Sequence, residues 1–323
     1  MKRTLIVVLY ALMVAVVPGL AIAQSAYPTR PVRVIVPFPP GGGNDLLARI
    51  IGQKLGDMWG QPVVIDNKPG GNTIVGTEAL ARSAPDGYTL MLTSSSHVII
   101  PSLLNLPFDA IKDFAPVTTV SSSELVLVVN PQVPAKSVQE LIALAKAKPG
   151  QLNFASGGSG NPNHLAGEMF NSMTGTKIVH VPYKGGGPAL NDLVGGQVQM
   201  FFVASAVVLP FIKSDRLKAL AISGNHRLAA LPDVPTFTEA GLPNFDVGQW
   251  YAILAPAGTP KPIIDKVAAD VTTVLALPDV KEKLAAQGME AFVTTPAQLG
   301  DLMSKDLARY AKLIKSADIK MEQ

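Results

Sequence analysis

Cysteine is absent from the 323-residue chain. Disulfides, thiolate metal sites, cysteine nucleophiles and an acylated-cysteine lipoprotein anchor are excluded together. Charge is sparse too: 16% of residues are charged, with 27 Lys and Arg against 24 Asp and Glu. Two of the basic residues, Lys2 and Arg3, stand at the extreme N-terminus, so the rest is nearly neutral. That balance cannot support affinity built on phosphate neutralisation, and nucleic acid is not an expected partner. Aromatics are only 6% and hydrophobic residues 48%, the composition of an ordinary globular chain and not of a disordered or fibrous one. Long apolar runs are missing after the N-terminus. The uncharged stretch from Leu193 to Ile212 is broken by Gly195, Gly196, Gln197, Gln199 and Pro210, and that from Gly87 to Phe108 by Ser94, Ser95, Ser96 and His97. Neither suits a bilayer span, which needs about 20 predominantly apolar residues.

What is present begins with a leader. Met1 to Thr4 is basic, Leu5 to Val17 is apolar, and Ala21-Ile22-Ala23 follows Pro18-Gly19 as a small-x-small site. The pattern predicts a signal peptide over residues 1–23, cleaved near Ala23, and a product in the periplasm or outside the cell. Neither ATP nor NAD is ordinarily at hand there. The remaining chain, about 300 residues, is of a size that commonly divides into two domains.

Val32 to Val36 reads as a strand, followed by a glycine loop and by Leu46, Leu47, Ile50, Ile51, Leu55, Met58 and Trp59 at helical spacing. Strand patterns at 62–65 and 88–92 and a helix at 73–82 continue the alternation, which implies a parallel sheet flanked by helices. Two strand-like runs flank Ser121-Ser122-Ser123, Ser137 to Glu140 forms a capping box, and the alternation restarts at Leu152. A strand at 217–222 leads back, and the tail from Pro262 to Ala317 is helical, broken at Pro278, Gly288 and Pro296. The expected architecture is α/β with two lobes and two hinge crossings: 24–124 with 223–323 as the first lobe, 125–222 as the second.

Three glycine loops each separate a strand from a helix. The first is Pro37 to Asp45, with Gly41-Gly42-Gly43 and with Asn44 as a possible cap. The second is Asn153 to Pro162, where Asn161 at the cap and Pro162 at the first helical position mark a helix start. The third is Val181 to Pro188, with Tyr183, Lys184 and Gly185-Gly186-Gly187. Helix starts carry unpaired N–H donors and partial positive charge, so three of them from two halves could hold a carboxylate through neutral dipoles. Any single glycine cluster also serves as a plain turn former, and Lys184 could supply charge but is more often simply solvated.

Other chemistries fail on residues. A P-loop needs Gly-Lys-Ser/Thr at the helix start, and a dinucleotide fingerprint needs glycine where Leu46 stands. The nucleophile elbow Gly157-x-Ser159-x breaks at Asn161. His97, His164, His180 and His226 show no metal spacing, so neither metal nor cofactor is expected. His164, three residues after the cap, could reach back to the loop or serve in the core. Asp45 in a first helical turn stabilises that turn, and no second carboxylate is tied to it by spacing.

The chain resembles the Bug-type receptors, the periplasmic substrate-binding proteins of tripartite tricarboxylate transporters. The resemblance rests on Tyr27-Pro28, Pro37-Phe38 with Gly42-Gly43 and Asp45, Asn67-Lys68-Pro69-Gly70, Pro85-Asp86-Gly87-Tyr88-Thr89, Asp113-Phe114, Ser156-Gly157 with His164-Leu165-Ala166, Pro182-Tyr183-Lys184-Gly185-Gly186, Asp233-Val234-Pro235-Thr236, and Trp250 with Ala255 to Pro260. It implies a two-lobe periplasmic binding protein (type II-like) that closes on a small carboxylate and hands it to membrane permease subunits. On the same resemblance, Gly42, Gly43, Asn44 and Asp45 are the expected first-lobe contacts. Ser156, Gly158, Ser159 and Asn161 are those of the second, and Ser94, His164, Tyr183 and Gly185 complete the candidate site. Asn161 replaces a common hydroxyl residue and Asn44 a small or hydroxyl one, so the preferred acid is expected to differ within a family that takes dicarboxylates, tricarboxylates, amino acids, aromatic acids and neutral compounds. A monomeric, non-catalytic receptor is the expectation. A co-receptor presenting its closed form to a membrane sensor kinase, and more remotely a secreted α/β hydrolase, are the rivals.

Overall fold

The computed structural model describes residues 27–316 and 319, apart from 225, 244, 246, 287 and 288. The leader and the expected break at Gly288 lie outside the described residues. In chain order the elements are β1 (Val32–Val36), α1 (Gly43–Trp59), β2 (Val63–Asn67), α2 (Ile74–Ala81), β3 (Thr89–Ser94), α3 (Ser96–Ile99), β4 (Phe114–Ser123) and β5 (Leu125–Val129). Next come α4 (Val138–Ala147), β6 (Asn153–Ser156), α5 (Pro162–Thr174), β7 (Val179–Pro182), α6 (Gly186–Val194), β8 (Met200–Ala204), α7 (Ser205–Lys213) and β9 (Lys218–Ile222). The chain returns through β10 (Gln249–Pro256), α8 (Lys261–Ala276), α9 (Pro278–Ala286), β11 (Glu290–Ala291) and α10 (Pro296–Ser316).

Among the described residues the strands form two sheets, ordered β11-β4-β10-β3-β1-β2 and β7-β6-β8-β5-β9. Central strands are apolar on both faces, as helices on both sides demand. On β1, Val32, Val34 and Val36 join the core of α1 and α8, whereas Ile35 faces the core of α10. On β5, Leu125, Leu127 and Val129 face α4 and α5, and Val126 and Val128 face α6 and α7. Leu47, Ala48, Ile51 and Leu55 bury one stripe of α1, which ends at left-handed Gly60. Ser137 caps α4 by accepting from the Glu140 amide, while Glu140 accepts from Lys136 N and not from Ser137 itself.

Strand direction fixes which loops face each other. β1, β2 and β3 are parallel and β10 is antiparallel to both β3 and β4, so β1, β3 and β4 all end at one edge. In the second sheet β5 runs against β8 and β9, and β6, β7 and β8 are parallel, so β6 to β9 end where β5 begins. Since β4 passes into β5 through Glu124 alone, the loops after β1, β3, β6, β7 and β8 all border the crossing between sheets. Open α/β sheets bind ligands at this edge.

Two sequence expectations need correction. Ser121, Ser122 and Ser123 do not separate two strands: they pair with β10 as the end of β4, and the break falls at Glu124. The return to the first sheet is not at 223. Phe237, Phe245 and Val247 belong to the second core, with Phe237 and Phe245 stacked 4.0 Å apart and Phe202 within 6.0 Å of both. The crossing is therefore at Gly248, just before β10. The helical tail does break at Pro278 and Pro296, each of which begins a new helix, α9 and α10, because a first-turn proline gives up a donor that has no intrahelical partner.

Candidate ligand-binding crevice

The first loop turns at Gly41, whose φ of 86° is left-handed, and α1 starts at Gly43 with extended Gly42 as its N-cap. No side chain caps this start. Asn44 therefore lies inside the first turn, not at the cap, because the chain is already helical at Gly43. Asn44 is buried, and its Oδ1 makes no hydrogen bond among the described residues. Gly43 cannot carry a side chain freely, since a Cβ there would lie 2.8 Å from Met289 Cε and 2.9 Å from Tyr251 Oη.

Asp45 shapes this loop. It accepts from Gly41 N and Arg49 Nε through Oδ2, both at 3.0 Å, and Arg49 Nη2 lies 2.9 Å from Oδ1. Arg49 continues to Asn67 Oδ1 and Asn67 Nδ2 to Phe38 O, each at 3.2 Å, closing a ring of bonds around the loop. Burial pushes the Asp45 carboxyl up, but the bonds from Arg49, Gly41 and Asn67 outweigh it and hold the group below its ordinary value. Beside the loop, Ser94 Oγ donates to Ser96 Oγ at 3.3 Å, and Tyr251 pairs with Ser94 in register. Thr93 Oγ1 and Ser95 Oγ are buried and unbonded among the described residues.

The second loop folds on its own side chains. Ser156 is fully buried, and its Oγ accepts from Gly158 N at 3.1 Å, faces Gly158 O at 3.1 Å and lies 2.6 Å from His180 Nε2. Asn161 caps α5 as expected, Oδ1 accepting from His164 N at 3.0 Å. His164 does reach back: Nδ1 accepts from Gly160 N at 3.1 Å, and the ring is also buried. Ser159, half-buried between Gly158 and Gly160, makes no hydrogen bond among the described residues. The third loop is stitched to the second through Tyr183 N to Ser156 O at 3.0 Å and Gly185 N to Gly157 O at 3.1 Å. Tyr183 turns its hydroxyl to Asp192 Oδ2 at 2.7 Å, and burial with that neighbouring carboxylate pushes its pKa up to about 12. Helix α6 begins after left-handed Gly185, again with no side-chain cap.

The structure thus brings the candidates to one edge in two roles. Asp45, Ser156, His164 and Tyr183 spend their polar atoms on the loops themselves. The uncapped starts of α1 and α6 leave main-chain amides without side-chain caps at this edge, and Asn44 Oδ1 is an unbonded acceptor among the described residues. Sequence reasoning missed the β8–α7 junction, where Ser205 N donates to Glu124 O at 3.1 Å, and it missed Tyr251. No glycine marks the former, and long-range pairing places the latter. Among the described residues no group of three or more His, Asp or Glu could hold a metal. Two cavities of about 220 and 280 Å³ around Asn130 and Gln132 lie at the opposite edge of the second sheet.

Two helix-flanked sheets joined by crossings, with loops converging on the shared edge, define the two-lobed fold of periplasmic binding proteins such as BugD. More narrowly, the chain belongs to the tripartite tricarboxylate transporter family receptors (TctC), whose family model matches residues 47–319. It is 40% identical over 309 residues to Protein BugT of Bordetella pertussis strain Tohama I, covering 94% of this chain and 95% of that protein. An R. palustris protein solved with adipate is 32% identical with a TM-score of 0.84, covering 92% of this chain and 100% of that one. MatC from Rhodopseudomonas palustris with bound malate is also 32% identical, with a TM-score of 0.82, over 89% of this chain and 100% of that one. No helix among the described residues is long and apolar enough to cross a membrane.

Proposed function

We propose that the mature chain is an exported receptor that captures a small carboxylate between its lobes and delivers it to a tripartite tricarboxylate-type permease. The observation that carries this reading is the pair of uncapped helix starts, α1 from the first lobe and α6 from the second, at the edge where the chain crosses. Each offers unpaired amides and the positive end of a helix dipole, and a carboxylate between them gains from both only when the lobes are together. Closure is then favoured by ligand, because the closed form makes contacts the open form lacks. The basic N-terminus, the Leu5 to Val17 run and the Ala21-Ile22-Ala23 site support export with cleavage near Ala23. The relatives solved with adipate and malate support a dicarboxylate as first probe. No chemical step is assigned to the site.

A thermal-shift panel of dicarboxylates, tricarboxylates, amino acids and aromatic acids tests the reading on the mature chain. At least one carboxylate is expected to raise the melting temperature, and Gly43→Val is expected to abolish that response while the protein still folds. A flat response across the panel, or an unchanged response in Gly43→Val, contradicts it.

A further inference from the structure

Beneath the second glycine loop lies a stack of rings that holding a carboxylate does not itself require. His164 from α5 and His180 from β7 lie with ring centroids 4.1 Å apart and planes 29° apart. Phe154 from β6 stacks on His180 at 4.9 Å. Each imidazole holds a different part of the loop. His164 Nδ1 takes the Gly160 amide directly, and His180 Nε2 holds Ser156 Oγ, which in turn takes the Gly158 amide. The two glycines so fixed are left-handed, with φ of 131° at Gly158 and 79° at Gly160, so the loop path depends on these bonds as well as on residue type.

The Gly160 bond fixes a protonation state. An N–H donates to Nδ1 only if that nitrogen carries no proton, so His164 is neutral with its proton on Nε2. That nitrogen lies 3.9 Å from Glu168 Oε1 on the same helix, the one acidic group within ion-pair distance of the ring among the described residues. From β7 the facing titratable group is His180; Phe154 on β6 is apolar. Burial lowers both imidazoles, to about 4 for His164 and about 3 for His180, the latter also opposed by charge on His164. A proton on Nδ1 would remove the acceptor for Gly160 and set a positive charge against the second ring.

We infer that His164 and His180 are positioning residues of the second glycine loop, which keeps its binding shape only while both rings are uncharged. This rests on the receptor reading proposed above and on the second loop, tied to the start of α6 through Gly185 N to Gly157 O, being part of the ligand site. Acid is then a release signal built into the receptor, separate from protonation of the ligand.

The test uses the mature chain labelled with ¹⁵N, without ligand, from pH 7.5 to 3.5. Expected at neutral pH are an unprotonated Nδ1 on His164 and Gly158 and Gly160 amides protected from exchange. As the rings charge well below the ordinary histidine range near 6.5, those amides are expected to lose at least about tenfold protection, while Gly52 in α1 does not change. Either ring titrating near 6.5, or Gly160 protection indifferent to ring charge, overturns the inference. A second arm compares wild type with His164→Asn, which keeps an uncharged acceptor, using malate and adipate. The ratio of their affinities cancels ligand protonation and is expected to fall on acidification; a ratio flat with pH overturns the inference. Gly43→Val, which removes binding from the other lobe, is expected to leave the ring titrations in place. Failure of the receptor reading and failure of this inference are thus separable, and the ligand-free spectra decide the latter even if neither acid binds.

Discussion

Gly167, in the middle of α5, leaves no room for a side chain beside the Phe154 ring, and this makes a checkable prediction. A Cβ there would lie 2.1 Å from Phe154 Cε2 and 2.5 Å from two further ring atoms. Glycine to alanine inside a helix ordinarily gains about 1 kcal/mol. Phe154 is fully buried against His180 and the second core, so the ring cannot withdraw without displacing its neighbours, and overpacking of this kind costs about 1–3 kcal/mol. Gly167→Ala is therefore expected to destabilise the protein by up to roughly 2 kcal/mol net, with ligand affinity lowered because the displaced ring carries the imidazole stack with it. Gly56→Ala is the matched control: in α1 its nearest new contact is Gln61 O at 3.4 Å, so the helix gain is expected to survive. Denaturant unfolding of both variants measures the difference. Adding Phe154→Leu should recover part of the Gly167→Ala loss, a non-additivity expected of touching residues. A Gly167→Ala protein as stable as Gly56→Ala would refute the reasoning.

Three further outcomes are expected. His97, His164 and His180 are held neutral by burial, with values lowered to about 4, 4 and 3. Their unfolded forms take protons first, so stability is full above about pH 6.5 and falls from there toward pH 4. Unfolding at pH 5 and pH 7 should differ by on the order of 2 kcal/mol per ring, and equal stability would contradict it. Asp45→Asn breaks the Arg49 pair and weakens the Gly41 bond, with an expected loss of about 1–3 kcal/mol and weaker carboxylate binding. Because the Asp45 carboxyl is held low, the wild-type advantage should be present above the ordinary carboxylate range and vanish below it; thermal melts at pH 7 and pH 3 check both signs. Leu165 of α5 is buried in the first-lobe core with Val98, Ile99 and Trp250, a contact that joins the lobes. Leu165→Ala should favour opening, read as a larger radius in small-angle scattering and reduced affinity, whereas unchanged scattering would place the contact elsewhere.

Much of the fold was legible because its signals are local. The apolar strand runs, the apolar stripe of α1 and the Asn161-Pro162 start of α5 depend on neighbours in sequence, and each stands where its pattern puts it. The glycine loops were visible for the same reason. What the loop side chains do was not visible. Asp45 is committed to Arg49 and Gly41, Ser156 to His180 and Gly158, and Tyr183 to Asp192, partners chosen by three-dimensional packing. The late crossing at Gly248 was hidden because Phe237 and Phe245 join the second core without a strand to announce them. Ser205 and Tyr251 escaped notice since no glycine or capping pattern marks them; pairing across the sheets brings them to the crevice.

The central claim is that main-chain donors from two lobes share one carboxylate. Amide chemical-shift mapping of the ¹⁵N-labelled mature chain, titrated with the acid giving the largest thermal shift, tests it most directly. The account predicts saturable shifts at Gly42, Gly43 and Asn44 together with Gly186 and Gly187. Shifts confined to one lobe, or centred on Asn130 and Gln132 at the far edge of the second sheet, would contradict it.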